Sequence, residues 1–152
     1  MRRKEKEISD RSEIDAIINA SSVCRLAMSR DDRPYLVPVC FRYDGRSLYI
    51  HTAGEGRKIG CFEANNKVCF EFERDVRLKP HDSLACKWSI AFESVIGEGE
   101  ITELTDPMDK QSGLNQIMLH YSDKEWSLDS KVLGVTRVWK ISIQSICGKR
   151  SA

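Results

Sequence analysis

The stretch from Ala85 to Leu104 constrains the fold more than any other part of the chain, because it reads as one long strand interrupted by Gly97 and Gly99. Globular strands usually run for about 3–10 residues. Glycine inside a strand marks a bulge, a tight bend or a place where another backbone comes close. A strand this long with two glycines in it belongs to a sheet that curls toward a barrel.

Period-two patterning supplies the other strands. Cys24, Leu26 and Met28 share one side of Val23–Ser29, and Asp31-Asp32-Arg33-Pro34 turns the chain into a second strand, Tyr35–Phe41. Tyr43–Arg46 is the next turn and Ser47–Thr52 the third strand. Lys67–Glu73 is the fourth, with Val68, Phe70 and Phe72 on one face, and Arg137–Ile146 alternates Trp139, Ile141 and Ile143 against Lys140, Ser142 and Gln144. Pro38 lies inside an apolar strand and cannot donate to a ladder, so it belongs at an edge or a bulge, where the sheet opens to a ligand. Asp10 followed by Glu13 looks like a capping box for a helix with Ile14, Ile17 and Ile18 on one face. Asp106-Pro107 opens a second helix carrying Leu114, Ile117, Met118 and Tyr121. The expected architecture is α+β: an antiparallel barrel of about six strands with peripheral helices, one domain over residues 1–152.

Composition narrows the function. With 24 basic and 23 acidic side chains mixed along the chain, the net charge of +1 leaves no electrostatic footprint for duplex nucleic acid or an anionic membrane. No apolar run is long enough to cross a bilayer, and the charged start lacks the apolar segment of a secretory signal, so a cytoplasmic protein is expected. The six cysteines form no Cys-x-x-Cys pair. A metal site is therefore not expected, and each thiol is read as a small core hydrophobe.

The run Leu48–Lys58 joins a strand to a turn with Gly54 and Gly56 and then to Arg57 and Lys58. Glycines with positive φ bring backbone close to an anion, Arg57 offers a planar fork of donors and Lys58 a mobile point charge. A helix opening at Arg57 would add its N-terminal amides. The run matches neither the Walker nor the dinucleotide fingerprint, and an exposed turn with two solvated cations has the same composition.

Taken together, Cys24–Met28, Pro34–Val39, Tyr49–Lys58, Phe70-Glu71 and Glu93–Gly99 resemble, in order and over nearly the whole chain, the flavin-binding split-barrel superfamily typified by pyridoxamine 5'-phosphate oxidase. The nitroimidazole-resistance-type branch is more similar still. The resemblance implies a split barrel and a homodimer that holds flavin mononucleotide (FMN) in the groove between subunits. It assigns the phosphate to Arg57 and Lys58, helped by Thr52, and the flavin ring to the strand backbone at Val37, Pro38 and Val39. It also places Ser94 near the cofactor, and gives His51 the position of the branch's histidine, proposed to take part in reducing a nitro group. Leu36, Phe41 and Phe92 depart from the oxidase pattern, and the chain lacks the basic C-terminal segment that holds pyridoxal phosphate, so that oxidase activity itself is not expected.

His51 can orient a ligand or deliver a proton, or it can satisfy a local hydrogen bond. Ser94 can face the cofactor or bond within the sheet. His81 and His120 have no comparable partners, and Trp88, Trp126 and Trp139 are read mainly as core. The expected function is an FMN-binding oxidoreductase of small molecules, a nitroimidazole reductase among the candidates, with a reduced nicotinamide as donor. The alternatives are a non-catalytic flavin- or haem-binding protein and a structural dimer with a decayed site.

Overall fold

The computed structural model describes residues 3–122, 124 and 126–151. Strands β1 (Glu7–Ile8), β2 (Cys24–Arg30), β3 (Arg33–Val39), β4 (Arg42–Tyr43), β5 (Ser47–Thr52), β6 (Lys67–Lys79), β7 (Ser89–Leu104) and β8 (Arg137–Ser151) form one antiparallel sheet. Helices α1 (Arg11–Ala20), α2 (Arg57–Ala64), α3 (Pro107–Ser122) and α4 (Ser130–Val135) lie between them in sequence. The strand order is β3-β2-β6-β7-β8-β5-β4, with β1 added on β8. The six strands expected from periodicity are all present. The two-residue strands β1 and β4 are too short to show a period.

Two long strands make the curl. β7 pairs with β6 on one side and β8 on the other, and its register with β8 shifts between Glu98, opposite Ser145, and Gly99, opposite Ile143. Gln144 is thus the extra residue of a bulge in β8, set against the two glycines of β7. The glycines serve close approach here. A Cβ on Gly97 would lie 2.3 Å from Phe70 Cζ, and one on Gly99 would lie 2.4 Å from the Ser142 carbonyl oxygen. β7 starts at Ser89, after a single 3-10 turn at Ala85–Lys87, so the long strand is shorter at its start than its sequence suggests.

The inward faces of the strands and α1 enclose the core. Leu26, Leu48, Ile50, Phe70, Phe72, Val95 and Ile141 are fully buried, as are Ile17 and Ile18 of α1. The Asp10 side chain caps α1 by accepting from the Ser12 N–H at 2.8 Å, but Glu13 does not complete the box; it pairs with Arg150 at 2.6 Å. Asp106 caps α3 as expected, accepting from the N–H groups of Met108 and Asp109. Two core assignments need correction. Cys40 and Cys86 are exposed, because they fall between strands and in the 3-10 turn, whereas Cys24 and Cys61 are buried. Trp139 is buried against Phe62, while Trp88 and Trp126 are about half exposed.

Candidate functional site

The turn after β5 is where the chain can present cations without covering them. Gly56 has φ +142° and ψ 168°, a conformation that side chains rarely adopt, and its carbonyl accepts the first α2 bonds from Ile59 and Gly60. Gly54 has no positive φ, so the expectation of two such glycines holds only at 56. Arg57 and Lys58 then occupy the first turn of α2, where unpaired backbone N–H groups already favour an anion.

The Arg57 guanidinium stacks over the Tyr35 ring of β3 at 4.3 Å and lines a cleft of about 400 Å³ with Arg30, Asp31, Arg33, Gly56 and Gly60. Lys58 bears electrostatically on His51, which β5 carries opposite Val138 of β8. Partial burial and then the Lys58 ammonium depress the His51 pKa below its ordinary value, so the imidazole is neutral at pH 7. Arg11, Arg25, Arg74, Arg137 and Arg150 each hold a carboxylate of another segment or turn, but among the described residues Arg33, Arg57 and Lys58 hold none.

β3 adds the other wall. It forms a two-residue hairpin with β2, closed by Arg30 opposite Arg33, with Asp31 and Asp32 both at positive φ. In such a hairpin the closing pair exchanges ladder bonds, and every second pair after it does the same. Pro34, Leu36 and Pro38 therefore point their backbone groups away from β2, along the free edge of the sheet. Proline costs no ladder bond at those positions, and it removes two of the three outward donors, leaving the Leu36 N–H. Val37 and Val39 turn their side chains toward the core and Pro38 turns outward, which is the edge position its sequence context demands.

The remaining expected site residues are distributed as follows. Thr52 is buried, donating its hydroxyl proton to the Ala53 carbonyl at 2.9 Å and accepting from Trp139 Nε1 at 3.1 Å. It anchors the strand end directly before the cation turn. Ser94 sits on β7 between Glu73 of β6 and Lys149 of β8. The structure links Arg57 to Tyr35 of β3 and Lys58 to His51, which is next to Thr52 at the end of β5. Phe41 is a core residue packed against Phe72 and His120, and His120 bonds the Ser21 carbonyl at 3.0 Å. Sequence reasoning did not single out Arg30 and Arg33, which line the cleft beside Arg57, although their placement on both sides of an Asp-Asp turn was the available signal.

A family model for pyridoxamine 5'-phosphate oxidase matches residues 10–150. The chain belongs to the pyridoxamine 5'-phosphate oxidase family. Its sheet is the split barrel of that family. A crystal structure of a candidate 5-nitroimidazole antibiotic resistance protein from Bacteroides thetaiotaomicron is 30% identical, with a TM-score of 0.84 over 95% of this chain and 86% of that one. The flavocytochrome Anf3 of Azotobacter vinelandii superposes with a TM-score of 0.85 at 18% identity, over 100% of this chain and 72% of that one. An FAD-binding protein of Mesorhizobium loti does so with a TM-score of 0.69 at 22% identity, over 97% and 98%. Among curated proteins, an uncharacterised Rhizobium meliloti protein is 34% identical over 64 residues, 42% of each chain. No helix among the described residues of this pyridoxamine 5'-phosphate oxidase family member is long and apolar enough to cross a membrane.

Proposed function

We propose that the chain binds a flavin nucleotide, FMN in its simplest form, and acts as a homodimeric oxidoreductase of small molecules, with nitro compounds such as nitroimidazoles among its candidate substrates and a reduced nicotinamide as donor. The observation that carries the reading is the pair of cations on the first turn of α2, free of carboxylates and set beside a proline-blocked strand edge. These residues fit the group. Arg57 supplies a bidentate fork, Lys58 a second charge and α2 its amide dipoles for a phosphate, while the Leu36 N–H and the outward carbonyls of β3 suit the polar edge of a planar ring. When bound, a flavin supplies the electron transfer.

The protein's own part is to orient and to exclude water. Thr52 ties β5 to Trp139 so that the cation turn starts from a fixed point. Leu36, Ile90 and Ile96 are large apolar side chains left about half exposed on the single chain, which suits a second copy covering the groove. His51 stands within electrostatic reach of Lys58 as a neutral imidazole.

The test is an absorbance spectrum with equilibrium dialysis against FMN, on the wild type and on Arg57→Ala with Lys58→Ala. Stoichiometric flavin on the wild type, with affinity reduced at least about tenfold in the variant, is the expected result, since two charge-assisted contacts are lost. Equal affinities would remove the phosphate assignment. A second reading, non-catalytic flavin or haem binding, is favoured by one observation: His51 has no hydrogen-bond partner among the described residues and is neutral, so it is not set up as a general acid. Tight flavin or haem binding by the wild type with no turnover of nitro compounds by reduced nicotinamide would support it, and turnover would overturn it.

A further inference from the structure

We propose that Arg137 is a positioning residue for the anion site: with Trp139 it clamps both ends of the segment Thr52–Glu63, and through Glu63 it fixes the direction in which α2 points Arg57 and Lys58. The inference rests on the reading of those two cations as phosphate ligands and adds residues that touch no ligand themselves. Three observations carry it. First, Arg137 opens β8 directly opposite Thr52, the last residue of β5. Its guanidinium holds Glu103 of β7 with two bonds, Nε to Oε1 at 2.9 Å and Nη2 to Oε2 at 2.6 Å, and lies over the Trp139 ring with Cζ 4.7 Å from the centroid. A planar fork gripped along one edge and stacked on one face has little freedom left.

Second, the same Nη2 reaches out of the sheet to Glu63 Oε1 of α2 at 2.9 Å. Glu63 lies near the C-terminal end of the helix, and its pair with Arg137 is the one ion pair that α2 makes among the described residues. Third, Trp139 holds the other end. It donates its Nε1–H to Thr52 at 3.1 Å and packs against Phe62, with ring centroids 5.0 Å apart. The strand end before the cation turn and the helix end after it are thus tied to two residues of one strand. An eight-residue helix is too short to set its own position, so these contacts and the burial of Ile59, Cys61 and Phe62 decide how it sits. Apolar burial is non-directional and leaves the helix free to roll. A roll of about 10° moves a side-chain tip about 5–6 Å from the axis by about 1 Å, more than a charge-assisted hydrogen bond tolerates. The Glu63 side chain is 57% exposed, so its ion pair contributes little to stability, and orientation is what it supplies.

Glu63→Gln separates positioning from plain electrostatics, because the two predict opposite signs. Removing a carboxylate near an anion site strengthens anion binding where charge alone matters, and weakens it where the carboxylate aims the helix. Equilibrium dialysis against FMN and thermal shift with inorganic phosphate are run on the wild type, Glu63→Gln, Arg137→Gln and the double variant. Glu63→Gln should bind both probes about fivefold more weakly, with the Tm of the free protein within about 2 °C of the wild type. Arg137→Gln should lose at least as much, and adding Glu63→Gln to it should change affinity by less than about twofold, because the two residues act through one contact. Should Arg137→Gln not fold, Glu63→Gln alone decides. Hydrogen exchange of the free protein reads the same clamp without ligand: α2 amides should exchange about fivefold faster in Glu63→Gln, and those of β5 and β8 at the wild-type rate. Unchanged or tighter anion binding in Glu63→Gln, additive losses in the double variant, or α2 exchange at the wild-type rate overturns the proposal. Phosphate binding without FMN binding in the wild type would remove the flavin reading and leave the clamp to be decided on phosphate; binding of neither would remove both.

Discussion

Replacing Gly97 by alanine tests whether the barrel curl depends on the closeness of β7 to its neighbours. An added Cβ would sit 2.3 and 2.5 Å from Cζ and Cε2 of Phe70 and 2.7 Å from the Ser145 carbonyl oxygen, where carbon–carbon contact is comfortable at about 3.5–4.0 Å. Phe70 is fully buried and packs against Phe72 with ring centroids 5.9 Å apart, so its ring has to be pushed into an occupied core by more than about 1 Å. Ser145 offers backbone, which yields less than a side chain. Overpacking of this kind costs about 1–3 kcal/mol, and the backbone clash places Gly97→Ala at the upper end. The smaller conformational entropy of alanine in the unfolded chain returns about 0.4–1 kcal/mol, leaving a net loss of about 2–3 kcal/mol. At about 2–4 °C per kcal/mol for a domain of this size, Tm should fall by roughly 5–10 °C. Urea denaturation at fixed protein concentration measures it. A cycle with Phe70→Leu localises it, because the smaller side chain should cost at least about 1 kcal/mol less beside alanine than beside glycine. A loss below about 0.5 kcal/mol, or strict additivity in the cycle, would refute the close-approach role of Gly97.

Three further outcomes can be checked in parallel. Thr52→Val leaves the buried Trp139 Nε1 without its acceptor and should cost about 1–3 kcal/mol, whereas Thr52→Ser should restore most of it; equal stability of all three chains in denaturant would show that the bond contributes nothing. Desolvation works against the Glu93 carboxylate, but hydrogen bonds from Arg74, at 2.7 Å, and Arg150 outweigh it and hold the carboxyl below its ordinary value of 4.5. A depressed carboxyl adds stability above that value and loses it as pH falls through the folded pKa, so Glu93→Gln should flatten the acid limb of a stability–pH curve below about pH 4.5, and an unchanged limb would contradict the assignment. The His51 pKa is also depressed, so the unfolded chain takes the proton first as pH drops through 6.5, and His51 then costs stability. NMR titration should show the imidazole pKa rising in Lys58→Ala and again when a phosphate ligand neutralises Lys58; no rise in Lys58→Ala would separate the two residues.

The strands were legible where one face is buried. Cys24, Leu26 and Met28 alternate in sequence and all three are buried, and Asp106-Pro107 marks the start of α3 to the residue. Legibility ends where burial ends. Beyond Arg74, β6 passes through a bulge with Asp75 at positive φ and both faces exposed, so its last residues carry no period, and α4, at six residues, is shorter than the window in which a helical period shows.

The site was legible in the same partial way. Gly56-Arg57-Lys58 announces itself because glycine conformation and adjacent cations are local properties, and Pro38 announces an edge because its missing donor is local too. Whether a cation is spent is a tertiary property. Arg25, Arg74, Arg137 and Arg150 look no different in sequence from Arg33 and Arg57, yet the first four are matched to carboxylates by strand pairing or by packing of α1 on the sheet, and the last two are not matched to any among the described residues. Other cations, Arg42, Arg46 and Arg77 among them, also hold no carboxylate among the described residues, so what distinguishes Arg33 and Arg57 is convergence: they line one cleft with Arg30 at the first turn of α2, and that local excess of positive charge over the single Asp31 carboxylate suits an anion.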